Sequence, residues 1–342
     1  MQTPSHIVVF RFSALGDVAM TVPVLICLLK QYPELRLTVV SQTFYKPLFE
    51  DIERLEFYAV DFKTQYKGVW GIRNLGKKIR EEIPFDAVAD LHNVIRSKLL
   101  LFFLRPKKFE VIDKGRKEKA SLTRRSHKHL RPLKTGFQRY ADVFATLGYP
   151  VNLVVEEGIR HAGMTDSVLP FAKQPGEKLI GIAPFAKHAA KMYPLEKMRE
   201  VANLLTGEGY KILLLGSKQE AIELEEWAKA GRNIISIAGR FSFKEELESI
   251  SQLDLMISMD SANMHLASLY GVPVVSIWGG THPFLGFYGW GQPYEYAIQE
   301  DLPCRPSSVF GNKPCPQHGA EGCMQGITPE IIVEKVKQVL RS

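Results

Sequence analysis

The chain has 342 residues, of which 45% are hydrophobic and 24% are charged, and its formal net charge is +7. This length and composition are typical of a globular protein of about two domains. A membrane-spanning helix is excluded, because the longest purely apolar run, Leu99 to Leu104, is far shorter than the roughly 20 residues that cross a bilayer.

The first apolar run, the sequence HIVVF, is short and is followed at once by Arg11 and then by Asp17. Such a start lacks the pattern of a secretory signal. Four cysteines are also too few for a disulfide framework in a chain of this length. Both observations favour a cytoplasmic protein.

Apolar runs that alternate with longer amphipathic runs predict strands and helices in turn along the first half of the chain. The predicted strands are residues 6–12, 36–42 and 85–92, and the predicted helix is residues 17–33. This order is typical of a doubly wound parallel sheet. Because ligands gather at the carboxyl ends of parallel strands, the polar residues that follow each strand are the candidates for a site.

The turn RFSALGDV, from Arg11 to Val18, joins the first strand to the first helix. It has one glycine instead of a G-x-G-x-x-G set, so it is a poor phosphate cradle. Its Asp17 falls at the start of the helix, where the helix dipole favours the ionised carboxylate. The turn therefore offers a base near neutral pH. The alternative is that Asp17 only caps its helix.

A strongly basic segment runs from Arg96 to Arg139, with fifteen lysines and arginines against three acids. Its local charge is +12, so the rest of the chain carries −5. One interpretation is a solvated loop. The other is an anionic partner, either a phosphorylated acceptor, a membrane surface or nucleic acid. Aromatic residues are sparse among the charges, which argues against base stacking, and we expect no nucleic-acid partner.

A polar stretch with proline and glycine, residues 170–178, is predicted to be a linker. The alternation then begins again. The predicted strands are residues 178–185, 211–217, 233–239, 253–260 and 272–280. The predicted helices are residues 195–210, 220–231, 242–252, 262–271 and 329–342. We therefore expect two α/β domains, residues 1–170 and 171–342, and we expect the last helix to pack back on the N-terminal domain.

The strongest local motif is the β-α-β unit from Leu253 to Gly280. Asp260 follows its first strand, and the small residues Ser261 and Ala262 open the helix, whose first N–H groups suit a diphosphate. His265, one turn later, is within reach of the same anion. The alternative is that Asp260 and Ser261 are ordinary caps and that His265 is a packed helix residue.

Two lysines, Lys187 and Lys191, lie in the loop after the predicted strand 178–185. Their ammonium groups can meet phosphates as mobile point charges. The alternative is that both are solvated surface lysines.

Three of these segments together resemble the heptosyltransferases, glycosyltransferase family 9. The sequence RFSALGDVAMTVPVL stands near the start, KMYP in the middle, and DSANMHLASLYGVPVVSIWGGTHPFLGFYG at residues 260–289. The resemblance covers nearly the whole chain in the right order, and its late motif is the most specific. It implies an α/β fold of GT-B architecture, with two Rossmann-like domains whose parallel sheets face across a cleft, the first for the acceptor and the second for the nucleotide sugar.

The resemblance also implies an inverting, metal-independent transfer from a nucleotide diphosphate sugar, usually ADP-heptose. Asp17 matches the general base that takes the proton of the acceptor hydroxyl. Lys191 matches a lysine that contacts the diphosphate, and Glu220 is placed to bind a ribose hydroxyl. The other residues that we predict at the nucleotide sugar are Lys187, Asp260, Ser261, Ala262 and His265. Those that we predict at the acceptor are Arg11, Ser13, Arg124 and Arg125.

The chain departs from the family pattern at two places. At the first, Ala262 stands where the family often has glycine and permits close backbone approach less freely, and Asn263 replaces a commoner proline. Thr281 and His282 stand where the family often has Thr-Asp, so any role of an acid there is lost.

Three cysteines and a histidine near the end of the chain, Cys304, Cys315, His318 and Cys323, have the spacing C-x10-C-x2-H-x4-C. These residue types can ligate zinc, but the first spacing is far longer than is usual for a zinc knuckle. The resemblance implies no catalytic role for such cysteines. We therefore expect no metal site and no cofactor.

We predict a cytoplasmic glycosyltransferase, peripheral to the inner face of the cytoplasmic membrane, that moves a heptose or related sugar to a lipopolysaccharide core or other lipid-linked saccharide. Its partners would be the nucleotide-sugar donor, an anionic phosphorylated glycolipid acceptor and the anionic membrane surface. Two alternatives stay open. One is a nucleotide-sugar epimerase or hydrolase of the same architecture, and the other is a non-enzymatic protein that binds nucleotides or nucleic acid.

Overall fold

The computed structural model describes residues 5–125, 128–155, 169–170, 176–319 and 322–341. Contacts divide the chain into two compact units. The first comprises Met1–Lys114 and Gly136–Gly158, and the second comprises Gly115–Thr135 and Ile159–Ser342. This division differs from the predicted one, because a segment of the N-terminal half belongs to the second unit. Of the predicted linker, residues 171–175 lie outside the described residues.

The strands are β1 His6–Phe10, β2 Arg36–Gln42, β3 Leu55–Val60, β4 Ala87–Asp90, β5 Phe109–Val111, β6 Leu179–Ala183, β7 Lys211–Leu214, β8 Ile234–Ser236, β9 Leu255–Met259, β10 Val274–Trp278 and β11 Ala297–Gln299. The α-helices are α1 Leu15–Ala19, α2 Thr21–Gln31, α3 Gly68–Glu82, α4 Ile95–Leu104, α5 Arg116–Leu122, α6 Gly136–Thr146, α7 Leu195–Gly207, α8 Ala221–Ala230, α9 Phe243–Ser251, α10 Ala262–Leu269 and α11 Pro329–Arg341. Every predicted strand and helix overlaps one of these elements. None of the described helices has both the length and the apolar character to cross a membrane.

The first unit is built on a five-stranded sheet in the order β3-β2-β1-β4-β5, and all its neighbouring strands are parallel. Alternate residues of a strand face opposite sides of the sheet. On one side Val8 and Phe10 of β1 and Val88 of β4 pack against α3 and α4. Since helices cover a parallel sheet on both faces, its central strands β1 and β4 are buried along their whole length.

The predicted helix 17–33 is two helices, α1 and α2, which meet at Met20. Pro23 lies in the first turn of α2. Proline has no N–H to donate, and its ring obstructs a continuous helix, whereas the first turn of a new helix tolerates it. The break leaves α1 as a short element that holds Asp17 beside the end of β1.

The second unit is built on a six-stranded sheet in the order β11-β10-β9-β6-β7-β8, again with parallel neighbours. The apolar side chains of β6, β7, β9 and β10 form one core with α7, α8 and α11. The last helix contributes Ile332, Val336 and Val339 to this core and packs against α7 and β10. We predicted that it packs back on the N-terminal domain, whereas these contacts place it in the second unit.

The segment Gly115–Thr135 carries part of the basic run and belongs to the second unit. Its apolar Leu122 and Leu133 form a small core with Leu285. The N–H of Leu133 donates to the carbonyl of Phe284 at 2.9 Å. Burial of a leucine contributes about 1.5–3 kcal/mol, so two leucines and a backbone hydrogen bond hold this charged segment in place.

Candidate active site

The first candidate site, here called the Asp17 centre, lies at the carboxyl ends of β1 and β4. Arg11 follows β1 directly and is 5% exposed. Its Nη1 donates to the carbonyl of Leu91, after β4, at 2.7 Å. Its Nη2 lies 2.7 Å from Oδ2 of Asp17, on α1. Because β1 and β4 are neighbours, this guanidinium links the ends of two strands to the carboxylate.

Asp17 does not cap its helix. The N-cap of α1 is Ala14, and no side-chain hydrogen bond caps that end among the described residues. The side chain of Asp17 is instead ion-paired with Arg11 and is 37% exposed. A carboxylate that is oriented by a buried cation and open to solvent can accept a proton from a bound hydroxyl group.

The turn after β4 adds a neutral imidazole to the Asp17 centre. Buried Asp90 accepts from the N–H groups of His92 and Asn93, both at 2.8 Å, and from the hydroxyl of Ser97 at 2.6 Å. Nδ1 of His92 accepts the N–H of Phe12 at 3.4 Å. Burial and the nearby Arg11 guanidinium lower the pKa of His92 to about 3. Sequence analysis missed His92, although it is the last residue of a predicted strand.

Two residues predicted at the acceptor, Arg11 and Ser13, belong to this centre. Arg11 is buried and is engaged with Asp17 and Leu91, so its contacts position the carboxylate. Ser13 is half-buried in the loop between β1 and α1. The other two, Arg124 and Arg125, belong to the second unit.

The second candidate site, here called the Lys191 centre, lies at the carboxyl ends of β6 and β9, which are neighbours. Lys191 ends a short 3₁₀ helix, Ala189–Lys191, that follows β6, and Asp260 follows β9 directly. Nζ of Lys191 lies 2.7 Å from Oδ2 of Asp260, and the two side chains are 15% and 5% exposed. The fold therefore joins two residues that were predicted separately at the nucleotide sugar.

The N-terminus of α10 borders this ion pair. Ser261 is its N-cap, and no side-chain hydrogen bond caps this end among the described residues. The hydroxyl of Ser261 lies 2.9 Å from that of Ser258. Ser261 and Ala262 are half-buried, while His265 is buried on the same helix. An end that side chains leave uncapped presents backbone N–H groups and the positive end of the helix dipole to an anion.

The stem of Lys191 packs closely against Gly311. The N–H of Gly280 donates to the carbonyl of Ala190 at 2.7 Å and ties the 3₁₀ helix to the end of β10. Gly311 has a φ of +69°, and a Cβ there would lie 2.5 Å from Cγ of Lys191. The chain therefore needs glycine at residue 311, both for the backbone and for the approach of the lysine.

Two further residues predicted at the nucleotide sugar lie at the same sheet edge. Glu220 is the N-cap of α8, and its Oε2 accepts the N–H of Ser217 at 2.6 Å. Burial and the charge of Glu220 raise the pKa of Glu246 to about 7. Lys187 is exposed in the loop between β6 and the 3₁₀ helix.

His282 caps the 3₁₀ helix Pro283–Leu285. Its Nδ1 accepts the N–H of Phe284 at 3.1 Å. Burial and then the charge of Arg305 lower the pKa of His282 to about 4, so the ring is neutral and can accept. A neutral imidazole thus makes the capping contact that an aspartate would make at this position.

Arg305 is the second residue that sequence analysis missed. It is buried, its Nε donates to the carbonyl of Gly279 at 2.5 Å, and its Nη2 donates to that of Thr281 at 3.0 Å. Nη1 also donates to the carbonyl of Glu300. Arg305 therefore fixes the backbone that follows β10, which in turn holds the Lys191 centre.

A cavity of about 790 Å³ lies within the second unit, and we call it the basic groove. Its lining includes Arg124, Arg125, Lys128 and Lys313, and none of the described lining residues is acidic. The predicted acceptor residues Arg124 and Arg125 therefore meet the loop that precedes α11, which supplies most of the other wall. Four cations without an acid among the described lining residues favour an anionic ligand.

Comparisons with known proteins bear on the family and the fold of the chain. The family model "Glycosyltransferase family 9 (heptosyltransferase)" matches residues 72–311. The lipopolysaccharide core heptosyltransferase OpsX of Haemophilus influenzae is 24% identical over 293 residues, which cover 82% of this chain and 81% of that protein.

Two solved structures share the fold. A family 9 glycosyltransferase from Veillonella parvula aligns with a TM-score of 0.74 at 20% identity, over 98% of this chain and 97% of the other. The Escherichia coli heptosyltransferase WaaC with ADP aligns with a TM-score of 0.70 at 18% identity, over 98% and 99%. These likenesses confirm the predicted GT-B fold.

Proposed function

The chain belongs to glycosyltransferase family 9, and on that premise we propose that it transfers a heptose from ADP-heptose to a lipopolysaccharide core acceptor with inversion at the anomeric carbon. The observation that carries this proposal is the Lys191–Asp260 ion pair beside the uncapped N-terminus of α10. A lysine and a helix N-terminus at one sheet edge suit a nucleoside diphosphate.

On the donor side, Lys191 and the first N–H groups of α10 hold the diphosphate. As the bond from the anomeric carbon to the diphosphate oxygen breaks, negative charge grows on the leaving nucleotide, and fixed positive groups stabilise it. Asp260 keeps the ammonium group of Lys191 in place. A relative of known structure, WaaC, was solved with ADP, which supports an adenine nucleotide as the leaving group here.

On the acceptor side, Asp17 is the general base. The acceptor oxygen attacks the anomeric carbon, its proton passes to the Asp17 carboxylate, and the bonding electrons leave with the diphosphate. A single displacement of this kind inverts the configuration. In this mechanism Lys191 and the helix terminus supply the positive charge, so the transfer step needs no metal ion.

The basic groove is the proposed site for the anionic part of the acceptor. Arg124, Arg125, Lys128 and Lys313 can pair with phosphate groups on a lipid-linked saccharide. An acceptor anchored in a bilayer would also bring the protein to the membrane surface, where each nearby basic residue contributes about 1 kcal/mol. We therefore propose a peripheral location on the inner face of the cytoplasmic membrane.

The test is a transfer assay that varies the donor and acceptor independently. We expect ADP release and a product larger by one heptose only when ADP-heptose and a heptose-deficient lipopolysaccharide core are both present. ADP should also raise the thermal midpoint of the protein, because ligands that bind the folded state stabilise it. Donor turnover without acceptor would favour the epimerase or hydrolase, and the absence of any shift with nucleoside diphosphates would contradict the transferase.

A further inference from the structure

Four side chains that the proposed transfer does not use converge on one point of the second unit. The sulfur atoms of Cys304, Cys315 and Cys323 and a ring nitrogen of His318 all lie within 4.8 Å of one another. Nδ1 of His318 is 3.3 Å from Sγ of Cys304 and 3.7 Å from Sγ of Cys315. All three cysteines are free thiols.

The fold brings the four side chains together although their spacing in the sequence is irregular. Two backbone hydrogen bonds between Cys315 and Gly319, of 3.0 and 2.9 Å, close a tight turn that places Cys315 and His318 on one knuckle. Cys323 stands on the 3₁₀ helix Gly322–Met324. The ten residues after Cys304 form an excursion that lines the basic groove and returns to the cluster. The long first spacing is therefore no obstacle to a common site.

The distances suit a tetrahedral metal ion. Metal–sulfur bonds of about 2.3 Å and metal–nitrogen bonds of about 2.0 Å imply that neighbouring ligand atoms lie about 3.5–3.8 Å apart. The two measured separations from His318 fall within a few tenths of an ångström of that range. Three thiolates are soft donors and an imidazole is a borderline one, and this set favours zinc or iron over magnesium or calcium.

We propose that Cys304, Cys315, His318 and Cys323 bind one transition-metal ion, Zn²⁺ or Fe²⁺, in a closed tetrahedral site. Binding converts the three thiols to thiolates and releases their protons to solvent. With four protein ligands the site has no open position for a substrate, so the ion is structural. This replaces our expectation from spacing that the chain has no metal site.

The ion would fix a long loop that lines the basic groove and packs against the Lys191 centre. Between β11 and α11 the described residues form no α-helix and no strand, and they include the 3₁₀ helix of Cys323 and the bridge between Cys315 and Gly319. Within this loop the N–H of Ser307 donates to the carbonyl of Gly280 at 2.9 Å, and Gly311 packs against Lys191. Nζ of Lys128 donates to the carbonyl of Pro306 at 2.9 Å. A metal cross-link holds these contacts without a hydrophobic core of their own.

The test is the metal content of the full chain, purified without an affinity tag. Elemental analysis should find about one equivalent of zinc or iron per chain. Iron, once oxidised to Fe³⁺ by ferricyanide, would give visible thiolate charge-transfer absorption, whereas a zinc site is colourless and gains tetrahedral absorption bands on cobalt substitution. Cys315→Ser and His318→Ala should lose the metal. The matched control Cys27→Ser should retain it, since Cys27 is a buried thiol of the first unit.

A metal content near zero, or equal content in Cys315→Ser and Cys27→Ser, would overturn the proposal. If the ligand variants do not fold, the wild-type protein provides the second measurement. Removal of the ion by a strong chelator should lower the thermal midpoint and make the clustered thiols reactive towards a thiol reagent, and zinc or iron should reverse both effects. Unchanged thiol reactivity after chelation would contradict the site. Neither readout depends on transfer activity.

Discussion

Lys191 and Asp260 form a buried ion pair, with Nζ of the lysine 2.7 Å from Oδ2 of the aspartate. A buried charge without a partner is costly, so the contact between the two groups offsets part of the cost of burying each of them. A carboxylate next to the proposed diphosphate site would by itself repel the ligand. Because the lysine neutralises it, Asp260 orients the cation without repelling the ligand outright.

Replacement of Lys191 by methionine should separate its two roles. We expect Lys191→Met to lower kcat/KM by about 10²–10³-fold, since one charged contact to the leaving group is lost. The same change leaves Asp260 buried and unpaired, which should lower the free energy of unfolding by about 3–5 kcal/mol. The double variant Lys191→Met/Asp260→Asn should regain stability but not activity.

Urea unfolding and the transfer assay measure these two effects separately. Lys229→Met is the matched control, because Lys229 is an exposed lysine on α8. Equal stability of the single and double variants would mean that the two side chains are not coupled. Full transfer by Lys191→Met would remove this residue from the diphosphate site.

Replacement of Asp17 by asparagine should abolish the base while leaving the fold intact. An asparagine oxygen can still accept from Nη2 of Arg11, so the guanidinium keeps a partner. We expect transfer to fall by about 10²–10⁴-fold, which is the usual contribution of a general base. Donor binding, measured by the thermal shift with ADP, should not change, because Asp17 belongs to the first unit.

Glu53→Gln is the control for that experiment, since Glu53 is an exposed acid of the first unit. Transfer at the wild-type rate by a folded Asp17→Asn protein would assign the base to another residue. A loss of ADP binding in the same variant would show that Asp17 acts on the donor instead.

Local sequence patterns predict the strands and helices well, but they predict poorly which distant side chains come into contact. Strand β2 matches its predicted range, residues 36–42, because its middle residues, Thr38, Val39 and Val40, are β-branched and favour a strand. The ion pair of Lys191 with Asp260 is different. It joins residues far apart in the chain, and only the order of β6 and β9 in the sheet makes them neighbours.

The basic segment shows why charge alone does not locate a domain. Charges suggested a solvated loop or an anionic partner, yet the unit to which the segment belongs is decided by Leu122 and Leu133, which pack on Leu285. Arg305 was missed for a related reason. A buried arginine that binds backbone carbonyls has no signature in the sequence, since its partners are main-chain atoms of distant residues.

His92 should make the protein less stable as the pH falls. Its pKa is about 3 in the folded state and 6.5 ordinarily, so between these values the unfolded chain binds a proton that the folded chain does not. The free energy of unfolding therefore falls with pH below about 6.5, by about 2 kcal/mol between pH 7 and pH 5.

His92→Asn tests this, because the amide oxygen can accept the N–H of Phe12 but does not titrate. Urea unfolding at pH 7 and pH 5 should show a smaller loss of stability for His92→Asn than for the wild-type protein. The exposed His129, changed to asparagine, is the control and should leave the loss unchanged. An identical pH dependence in the wild-type protein and His92→Asn would contradict the burial of a neutral imidazole.

The basic groove should distinguish phosphorylated from dephosphorylated acceptors. Arg124→Gln and Arg125→Gln should each raise the KM for a phosphorylated acceptor roughly tenfold, since a charge-assisted contact contributes about 1.5–3 kcal/mol. The KM for the donor should stay the same. With an enzymatically dephosphorylated acceptor the variants and the wild-type protein should have similar KM values. If the variants raised the KM by the same factor for both acceptors, the groove would not bind the phosphate groups.

Gly311→Ala should impair the Lys191 centre, because Gly311 packs against Lys191 although the two are far apart in the sequence. The substitution costs about 1–2 kcal/mol through the positive φ alone, and its Cβ would also lie 2.5 Å from Cγ of Lys191. Gly271→Ala separates these effects, because Gly271 has a φ of +70° with no atom within 4 Å of an added Cβ. The midpoint temperature of thermal unfolding should be lower in both variants than in the wild-type protein. By contrast, kcat/KM for the donor should fall only in Gly311→Ala. A similar loss of transfer in both would mean that backbone strain, and not displacement of the lysine, accounts for the effect.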